Sequence, residues 1–456
     1  MTAKSTFIAL ISICMFYCSN ACDTWVAPGN STTSGWMMLG KNSDRPRFGC
    51  QPLVYHARRK WPAGSEIDLV RVKIPQVEET FTTIGSCPYW CWGYEEGINE
   101  YSVAIGNEAI WTKVLSEDKV SDRAGKGPKL GPTGMALVRL GLERGRTARE
   151  ALNAIAKIVE VHGQHGSASP TRGMDAAYHN SFIIADPEEA WILETTGNHW
   201  VARKVTVGPT SISNGLTLGS EFDLASVSLV QHAVTKGWWP KGKEKEFHFQ
   251  HAYSPGTASD GPVVTRVHRR AKISRTVLEK KGDRVDVRWM MQVGRTPGID
   301  LSATASSSVA VLPDSEDQLP VYWWCPARPS RGCFVPFFIH GKGLPEIVST
   351  AGTAGMRVEM ADRVKRDTFS GKSYWWLFRD LDDKAGGDSE KLSVIRETFD
   401  ALEKEFEVGV PAVIKKAVQL RKDGQPDRAA AVLDSYTGRC LDKVLLKLND
   451  LRERFE

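Results

Sequence analysis

A short apolar segment near the start of the chain ends in small residues directly before Cys22, and this feature constrains the chain most. Lys4 gives a positive start, residues 7–17 are apolar, and Ser19-Asn20-Ala21 places small residues three and one before a cleavage point. We therefore expect residues 1–21 to be a signal peptide and Cys22 to become the first residue. A first-residue cysteine carries a thiol and an α-amine, and that amine, with an ordinary pKa of about 7.7–8.0, can accept a proton. One residue then serves as nucleophile and general base.

The composition is that of an ordinary soluble globular protein with 456 residues, 41% of them hydrophobic and 25% charged. Beyond the first segment no apolar run approaches the roughly 20 residues that span a bilayer, so we expect no membrane association after signal removal. The net charge of +5 is too small to favour nucleic acid as a partner. The length suits one large domain with an extension, or two or three smaller domains.

The chain has nine cysteines, of which Cys14 and Cys18 leave with the signal peptide. Apart from Cys22, six remain: Cys50, Cys87, Cys91, Cys325, Cys333 and Cys440. Because a secreted chain meets an oxidising compartment, up to three disulfides are expected. The sequence does not choose among the connectivities, and the pairs closest in sequence, Cys87 with Cys91 and Cys325 with Cys333, are the simplest. The glycosylation acceptor Asn30-Ser31-Thr32 agrees with secretion or with the lumen of the endomembrane system, lysosome or vacuole included.

Hydrophobic periodicity predicts an α+β fold. Residues 22–27 and 36–41 predict a hairpin around turn-forming residues, and residues 133–162 predict two amphipathic helices that end at Gly145 and Gly163. Further strands are predicted at residues 181–185, 190–194, 200–205, 284–292, 307–312 and 333–339. From about residue 389 the apolar residues recur at helical spacing. Strands, a helix pair, strands and then helices favour α+β layers over a repeating βαβ sheet.

Two segments carry a family resemblance: Cys22-Asp23-Thr24-Trp25 and, downstream, Gly40-Lys41-Asn42-Ser43-Asp44-Arg45. Together they resemble the secernin and dipeptidase family of cysteine N-terminal-nucleophile hydrolases. The resemblance continues in Gly106-Asn107-Glu108, Tyr178-His179-Asn180-Ser181, Ala190-Trp191-Ile192-Leu193-Glu194-Thr195 and Ser211-Ile212-Ser213-Asn214. It implies a four-layer αββα sandwich over residues 22–345, similar to penicillin V acylases and bile-salt hydrolases. Residues 346–456 are then a mainly helical extension that packs on this core or forms an oligomer contact.

The resemblance also implies roles for the catalytic residues. Cys22 is the nucleophile, and Asp44 is expected to orient its amine. Asn214 and Asn107 match the asparagines that hold the oxyanion. Each of these three polar residues also has an ordinary reading as a turn residue, and Asp44 as part of a salt bridge. For Cys22 the alternatives are a disulfide partner and the lipidated first residue of a lipoprotein.

Two basic residues are expected to bind substrate or to support the nucleophile. Lys41 stands where the related acylases have an arginine, so it can favour the thiolate, although it lacks the planar guanidinium fork. Arg266 matches a late arginine of the acylases and is expected to hold a substrate carboxylate or the surroundings of the nucleophile. The alternative readings are a solvated strand lysine for Lys41 and a solvated helix face for the basic residues 266–275. We expect no metal and no cofactor, because the histidine pairs at 162 and 165 and at 248 and 251 lack further ligands at metal-binding spacing.

The resemblance implies a cysteine dipeptidase that hydrolyses small peptides with free amino ends through a thioester at Cys22. Two alternatives stay open: an amide or acyl hydrolase of the penicillin-acylase kind, and a non-catalytic secernin-like binding protein. The expected partner is a dipeptide or small amide, and a homo-oligomer is compatible with the helical extension.

Overall fold

The structure is a computed structural model that describes residues 22–126, 131–164, 176–255, 262–282, 284–360 and 363–456, without the side chains of residues 262–269. The predicted signal peptide, residues 1–21, lies outside the described residues.

The described strands and helices alternate in the order expected of an α+β protein. The strands are β1 Asp23–Ala27, β2 Met37–Asp44, β3 Leu53–His56, β4 Arg59–Lys60, β5 Glu66–Asp68, β6 Lys73–Pro75, β7 Glu79–Thr80, β8 Thr83–Ser86, β9 Glu96–Asn99, β10 Ala104–Ile110, β11 His179–Ala185, β12 Ala190–Thr196, β13 His199–Lys204, β14 Thr210–Ile212, β15 Leu224–Ala225, β16 Thr304–Leu312, β17 Val321–Pro326 and β18 Val335–Phe337. The helices are α1 Lys113–Arg123, α2 Gly134–Arg144, α3 Ala148–His162, α4 Leu229–Thr235, α5 Phe249–Tyr253, α6 Pro262–Glu279, α7 Val287–Gly294, α8 Glu346–Ser349, α9 Tyr374–Ala385, α10 Ser389–Lys422 and α11 Pro426–Arg454.

Two antiparallel sheets form the centre of the molecule. One has the strand order β14-β1-β2-β16-β17-β18, and the other has the order β15-β13-β12-β11-β10-β9-β8-β3. The predicted hairpin is confirmed as β1 and β2, which pair with Thr24 opposite Lys41. The sheets meet where β1 and β2 contact β10, and a Cβ on Gly106 of β10 would come within 3.0 Å of both Thr24 and Lys41. The absent side chain therefore leaves room for a buried lysine between the sheets.

The predicted helix pair is confirmed as α2 and α3, which pack against the eight-stranded sheet. The hydroxyls of Thr133 and Thr147 accept hydrogen bonds from the backbone of the first helical turns, as N-cap residues do. Gly163 ends α3 with a φ of 68°, a value that favours glycine. Helices α6 and α7 contact the other sheet, through β1, β14, β2 and β16.

The strand predicted at residues 284–292 is wrong, because this segment forms helix α7. Val285, Val287 and Trp289 alternate as in a strand, but Asp286 between them caps the helix by accepting a 2.7 Å hydrogen bond from the Trp289 N–H. The buried residues Met290, Met291 and Val293 then occupy the face that packs on β2 and β16. A local cap thus decides between two periodicities that a short segment does not separate.

The disulfide prediction is also wrong, since the seven described cysteines are free thiols and all are buried. In the two predicted pairs the sulfurs turn to nearby carbonyls. Cys87 Sγ lies 3.3 Å from the Cys91 carbonyl oxygen, and Cys325 Sγ lies 3.6 Å from the Pro326 carbonyl oxygen. These cysteines behave as small core residues with weak donors.

The residues beyond 345 are mainly helical, and they pack on the sheet that contains β1. Helix α9 contacts β17, and both α10 and α11 contact β18. The hydroxyl of Thr437 in α11 donates a 2.8 Å hydrogen bond to the Pro336 carbonyl. In the part of the chain that the structure describes, no helix is long and apolar enough to cross a membrane.

Candidate active site

Cys22 lies directly before β1 and is 5% exposed. Its backbone nitrogen donates a 2.9 Å hydrogen bond to Asn214 Oδ1, and its Sγ accepts a 3.3 Å hydrogen bond from the Asp44 N–H. Asn214 follows β14, and the pairing of β14 with β1 brings two segments 192 residues apart together. Three of the predicted residues therefore meet around one thiol and one nitrogen.

The surroundings of Cys22 keep its thiol protonated. Burial raises the pKa of Cys22 to about 12, although Lys41 acts in the opposite direction. A thiolate at neutral pH therefore requires a base beside the sulfur. In the uncut chain the Cys22 nitrogen is a peptide N–H, which accepts no proton. Cleavage after Ala21 would turn the same atom into an α-amine next to Asn214.

Asn214 is held on both sides of its amide group. Its Oδ1 accepts from the Cys22 nitrogen, while its Nδ2 donates a 2.9 Å hydrogen bond to the Ala109 carbonyl of β10. The contacts in the structure thus place Asn214 as an orienting group for the Cys22 nitrogen. The oxyanion role expected for Asn214 stays a prediction.

Asp44 ends β2 and belongs to a buried carboxylate pair that shares one arginine. Arg270 of α6 binds Asp23 Oδ2 and lies 3.3 Å from Asp44 Oδ2. Thr304 completes the shell by donating a 2.7 Å hydrogen bond to Asp44 Oδ1. Burial raises the pKa of Asp44 to about 7, while Arg270 and Thr304 pull it down. The contact of Asp44 with Cys22 is through its backbone N–H, and its carboxylate faces α6.

Lys41 is fully buried, so the reading as a solvated strand lysine is wrong. Its Nζ donates to the backbone carbonyl of Asn107 and lies 3.1 Å from Glu108 Oε1. Thr24 donates a 2.6 Å hydrogen bond to the same carboxylate oxygen. Burial lowers the pKa of Lys41, but Glu108 and Cys22 carry it above its ordinary value, so the ammonium is retained. The pKa of Glu108 is raised to about 8 by burial, against the pull of Lys41.

The Asn107 side chain points to the helical layer. Its amide group lies 3.0 Å from Asn180 Oδ1, and a Cβ on Gly134, the first residue of α2, would collide with both side chains. The backbone carbonyl of Asn107 joins the Lys41 cluster, and its amide group also lies 3.2 Å from Glu95 Oε2. Its oxyanion role stays a prediction.

Arg266 lies in α6, but its side chain is outside the described residues. The arginine that the structure brings to the site is Arg270, one helical turn later and 5% exposed. The sequence reading of this stretch as a solvated helix face is therefore wrong at Arg270. Ser274 and Leu278, four and eight positions further along α6, are also buried, so Arg270 lies on the helix face that packs on β1 and β14.

Further buried charges surround the nucleophile and were not singled out from the sequence. Arg45 pairs with Glu95, and the hydroxyl of Ser306 donates a 2.6 Å hydrogen bond to Glu96 Oε1. Burial raises the pKa of Glu96 to about 7. The buried charges of the site are five carboxylates and three cations, all at most 5% exposed: Asp23, Asp44, Glu95, Glu96, Glu108, Lys41, Arg45 and Arg270. Carboxylates exceed cations around Cys22.

No group of three or more histidine, cysteine, aspartate or glutamate side chains among the described residues is arranged to hold a metal ion. Of the two histidine pairs, His165 lies outside those residues. The His248 and His251 rings stack with centroids 3.7 Å apart.

Comparison with known proteins identifies the family. The model of peptidase family C69 matches residues 21–267, which is more than half of the chain. The chain therefore belongs to peptidase family C69, a dipeptidase and secernin type of family, and the resemblance seen in the sequence is confirmed. Membership supports an enzyme that hydrolyses peptide or amide bonds.

Solved structures give more distant matches. The Caenorhabditis elegans ortholog of N-acylethanolamine-hydrolyzing acid amidase is 16% identical, with 65% of this chain and 96% of that chain covered and a TM-score of 0.36. A mutant of conjugated bile acid hydrolase from Clostridium perfringens is 11% identical, with 77% and 98% covered and a TM-score of 0.40. Another variant of that hydrolase is 12% identical, with the same coverage and a TM-score of 0.39. The family assignment rests on the sequence match and not on these structures.

Proposed function

We propose that this protein is a cysteine dipeptidase that forms a thioester at Cys22 once residues 1–21 have been removed. The observation that carries the proposal is the placement of the Cys22 nitrogen, 2.9 Å from Asn214 Oδ1, while the Asp44 N–H holds the sulfur at 3.3 Å. Because the pKa of the thiol is raised to about 12, the nucleophile needs a base. The freed α-amine of Cys22 is the base on the same residue.

The reaction follows from these positions. The α-amine of Cys22 takes the thiol proton, and the thiolate attacks the substrate carbonyl. The Asp44 N–H, which faces the sulfur, and the side chains of Asn214 and Asn107 are the proposed donors for the developing oxyanion. The protonated amine returns its proton to the leaving amine, so a thioester forms as the peptide bond breaks. Water then hydrolyses the thioester and restores the thiol.

The charge of the site depends on pH. Five buried carboxylates face three buried cations, but the pKa values of Asp44 and Glu96 are raised to about 7 and that of Glu108 to about 8, so negative charge exceeds positive charge only at higher pH. There an ammonium group on the substrate offsets the remaining carboxylate, whereas a second carboxylate on the substrate adds to the excess. This agrees with dipeptides that carry a free amino end.

The proposal extends to the architecture and to the location of the protein. Helices α2 and α3 on one sheet and α6 and α7 on the other support a four-layer αββα sandwich. Exposure of Cys22 by a signal peptidase implies a secreted or lumenal protein.

Dipeptide hydrolysis by a chain that starts at Cys22 tests the function, with Cys22→Ala and Cys22→Ser as comparison. We expect turnover of dipeptides with free amino ends and none by the alanine variant. If Cys22→Ala hydrolysed dipeptides at the original rate, the assignment of Cys22 as the nucleophile would be refuted. Hydrolysis of N-acylated dipeptides or penicillin V in preference to free dipeptides supports the acylase alternative. No turnover of any of these substrates by a chain shown to begin at Cys22 supports the non-catalytic alternative.

A further inference from the structure

Strand β16 is irregular beside the nucleophile. Its register against β2 shifts between Thr304, which pairs with Asp44, and Ser306, which pairs with Ser43. Ala305 is the extra residue of this β-bulge. Bulges re-aim side chains and are frequent next to active sites. Here the bulge lets Thr304 donate to Asp44 Oδ1 and Ser306 donate to Glu96 Oε1.

The bulge is held from outside the sheet by helix α9. The indole Nε1 of Trp375 donates a 2.6 Å hydrogen bond to the Ala305 carbonyl. Arg379, one turn further along α9, donates from both terminal nitrogens to the Ser302 carbonyl, at 3.2 and 3.1 Å. Both side chains are at most 2% exposed. Residues four apart lie on one helical face, so one side of α9 holds two carbonyls of the segment that contains Thr304.

These hydrogen bonds form a continuous path to the sulfur. Trp375 and Arg379 hold residues 302–305, Thr304 bonds the Asp44 carboxylate, and the Asp44 N–H bonds Cys22 Sγ. A shift of one residue in β16 would turn Thr304 to the other face of the sheet, because side chains alternate along a strand. The carbonyl of Ala305 is also bonded by the Ala327 N–H at 2.9 Å, so the bulge is fixed from two sides.

We propose that α9 is a working part of the active site, in which Trp375 and Arg379 are positioning residues that set the Asp44 backbone against the Cys22 thiol. The role in turnover rests on the proposed function. Helix α9 lies more than 100 residues beyond the segment 21–267 that matches the family. The C-terminal segment is then required for catalysis and not only for stability.

The test is Trp375→Phe, which removes the Nε1 donor and keeps an aromatic ring. The matched control is Trp376→Phe, on the same helix, whose Nε1 donates to Asp367 Oδ2 at 2.7 Å and not to β16. We expect Trp375→Phe to lower kcat at least about tenfold with little change in KM, because small misplacements of reacting groups have large effects on rate. Trp376→Phe is expected to stay within about twofold of the wild type. Circular dichroism and the urea midpoint report whether each variant is folded.

A second readout does not depend on the substrate. The rate of Cys22 alkylation by iodoacetamide is measured against pH for the wild type, both tryptophan variants and Thr304→Val. Thr304 lowers the pKa of Asp44, so its loss raises that pKa. We expect both Trp375→Phe and Thr304→Val to move the alkylation profile away from that of the wild type. Trp376→Phe should leave the profile in place.

The outcomes separate the two proposals. A wild type without hydrolase activity overturns the proposed function, and the alkylation profile still decides on positioning. If Trp375→Phe and Trp376→Phe give the same kcat and the same profile, α9 has no positioning role. If Trp375→Phe does not fold, Arg379→Met is used instead, because it removes the hydrogen bonds from α9 to the Ser302 carbonyl. Its kcat and its alkylation profile are then compared in the same way.

Discussion

The β1–β2 hairpin lies within the six-stranded sheet, and the α10–α11 helical hairpin packs on the same sheet at β18, but the two hairpins bury opposite chemistry. Every residue of β1 and β2 is buried, the charged residues Asp23, Lys41 and Asp44 included. Helices α10 and α11 bury apolar side chains and leave most charges exposed. Apolar burial stabilises a fold directly, at about 25 cal/mol per Å², whereas a buried charge costs free energy unless it is paired. The stability of the β1–β2 hairpin therefore depends on the partners of its buried charges, and the stability of the α10–α11 hairpin depends on its apolar packing.

The largest effect is expected for Arg270→Met, which leaves the buried carboxylates of Asp23 and Asp44 without their cation. Breaking a buried ion pair from one side typically destabilises by about 3–5 kcal/mol. The loss should be greater at pH 8 than at pH 5, because both carboxylates have a raised pKa and can accept protons at the lower pH. Urea unfolding at the two pH values measures it. Arg275→Met, on the exposed side of the same helix, is the control and is expected to change little.

A somewhat smaller effect is expected in the helical hairpin for Leu433→Ala, at a fully buried position of α11. Large-to-small core substitutions cost about 2–5 kcal/mol through lost burial and the cavity left behind. Here the cost should not vary with pH, and kcat per folded molecule should be unchanged. Leu446→Ala, at a position 62% exposed, is the control. A pH-dependent loss in Leu433→Ala would erase the contrast between the two hairpins.

The pH dependence of stability follows from the raised carboxylate pKa values of Asp44 and Glu96, about 7 each, and of Glu108, about 8. The unfolded chain releases these protons near its ordinary pKa values, and the folded chain retains them to higher pH. The folded state therefore binds more protons between about pH 4 and pH 8, and the free energy of unfolding falls as pH rises. Each carboxylate contributes on the order of a few kcal/mol. Urea unfolding at pH 5 and pH 8 measures the fall, and Glu96→Gln should make it smaller.

The smallest effect is expected for Glu405→Gln, which breaks the ion pair with Lys443 between α10 and α11. Both side chains are about half exposed, at 53% and 51%. Exposed ion pairs contribute about 0–1 kcal/mol, so the urea midpoint should barely move. A loss comparable to that of Arg270→Met would show that exposed and buried pairs contribute alike here.

These contrasts also explain what the sequence predicted. Leu392, Ile395 and Phe399 lie at helical spacing, so α10 was predictable from local pattern alone. Cys22 was found from the signal-peptide pattern that precedes it, and Lys41 and Asp44 were found through the family resemblance. The burial of Arg270 was missed because a basic cluster on a helix is normally solvated, whereas the distant partners Asp23 and Asp44 bind this arginine inside the protein.

Two other features were missed for different reasons. The bulge at Ala305 is stabilised by Trp375, a residue 70 positions away, and hydrophobic spacing does not record such distant contacts. The helix α7 was predicted as a strand because its first residues alternate and the local cap at Asp286 was not recognised.

The most direct test of the central claim compares dipeptide hydrolysis by two chains that differ by one residue, one beginning at Cys22 and the other at Ala21. Both keep the thiol, the Asp44 backbone and the buried charges. Only the first has an amine at the atom that Asn214 binds. We predict turnover by the chain that begins at Cys22 and none by the chain that retains Ala21. Equal turnover by the two chains would show that the Cys22 amine is not the base.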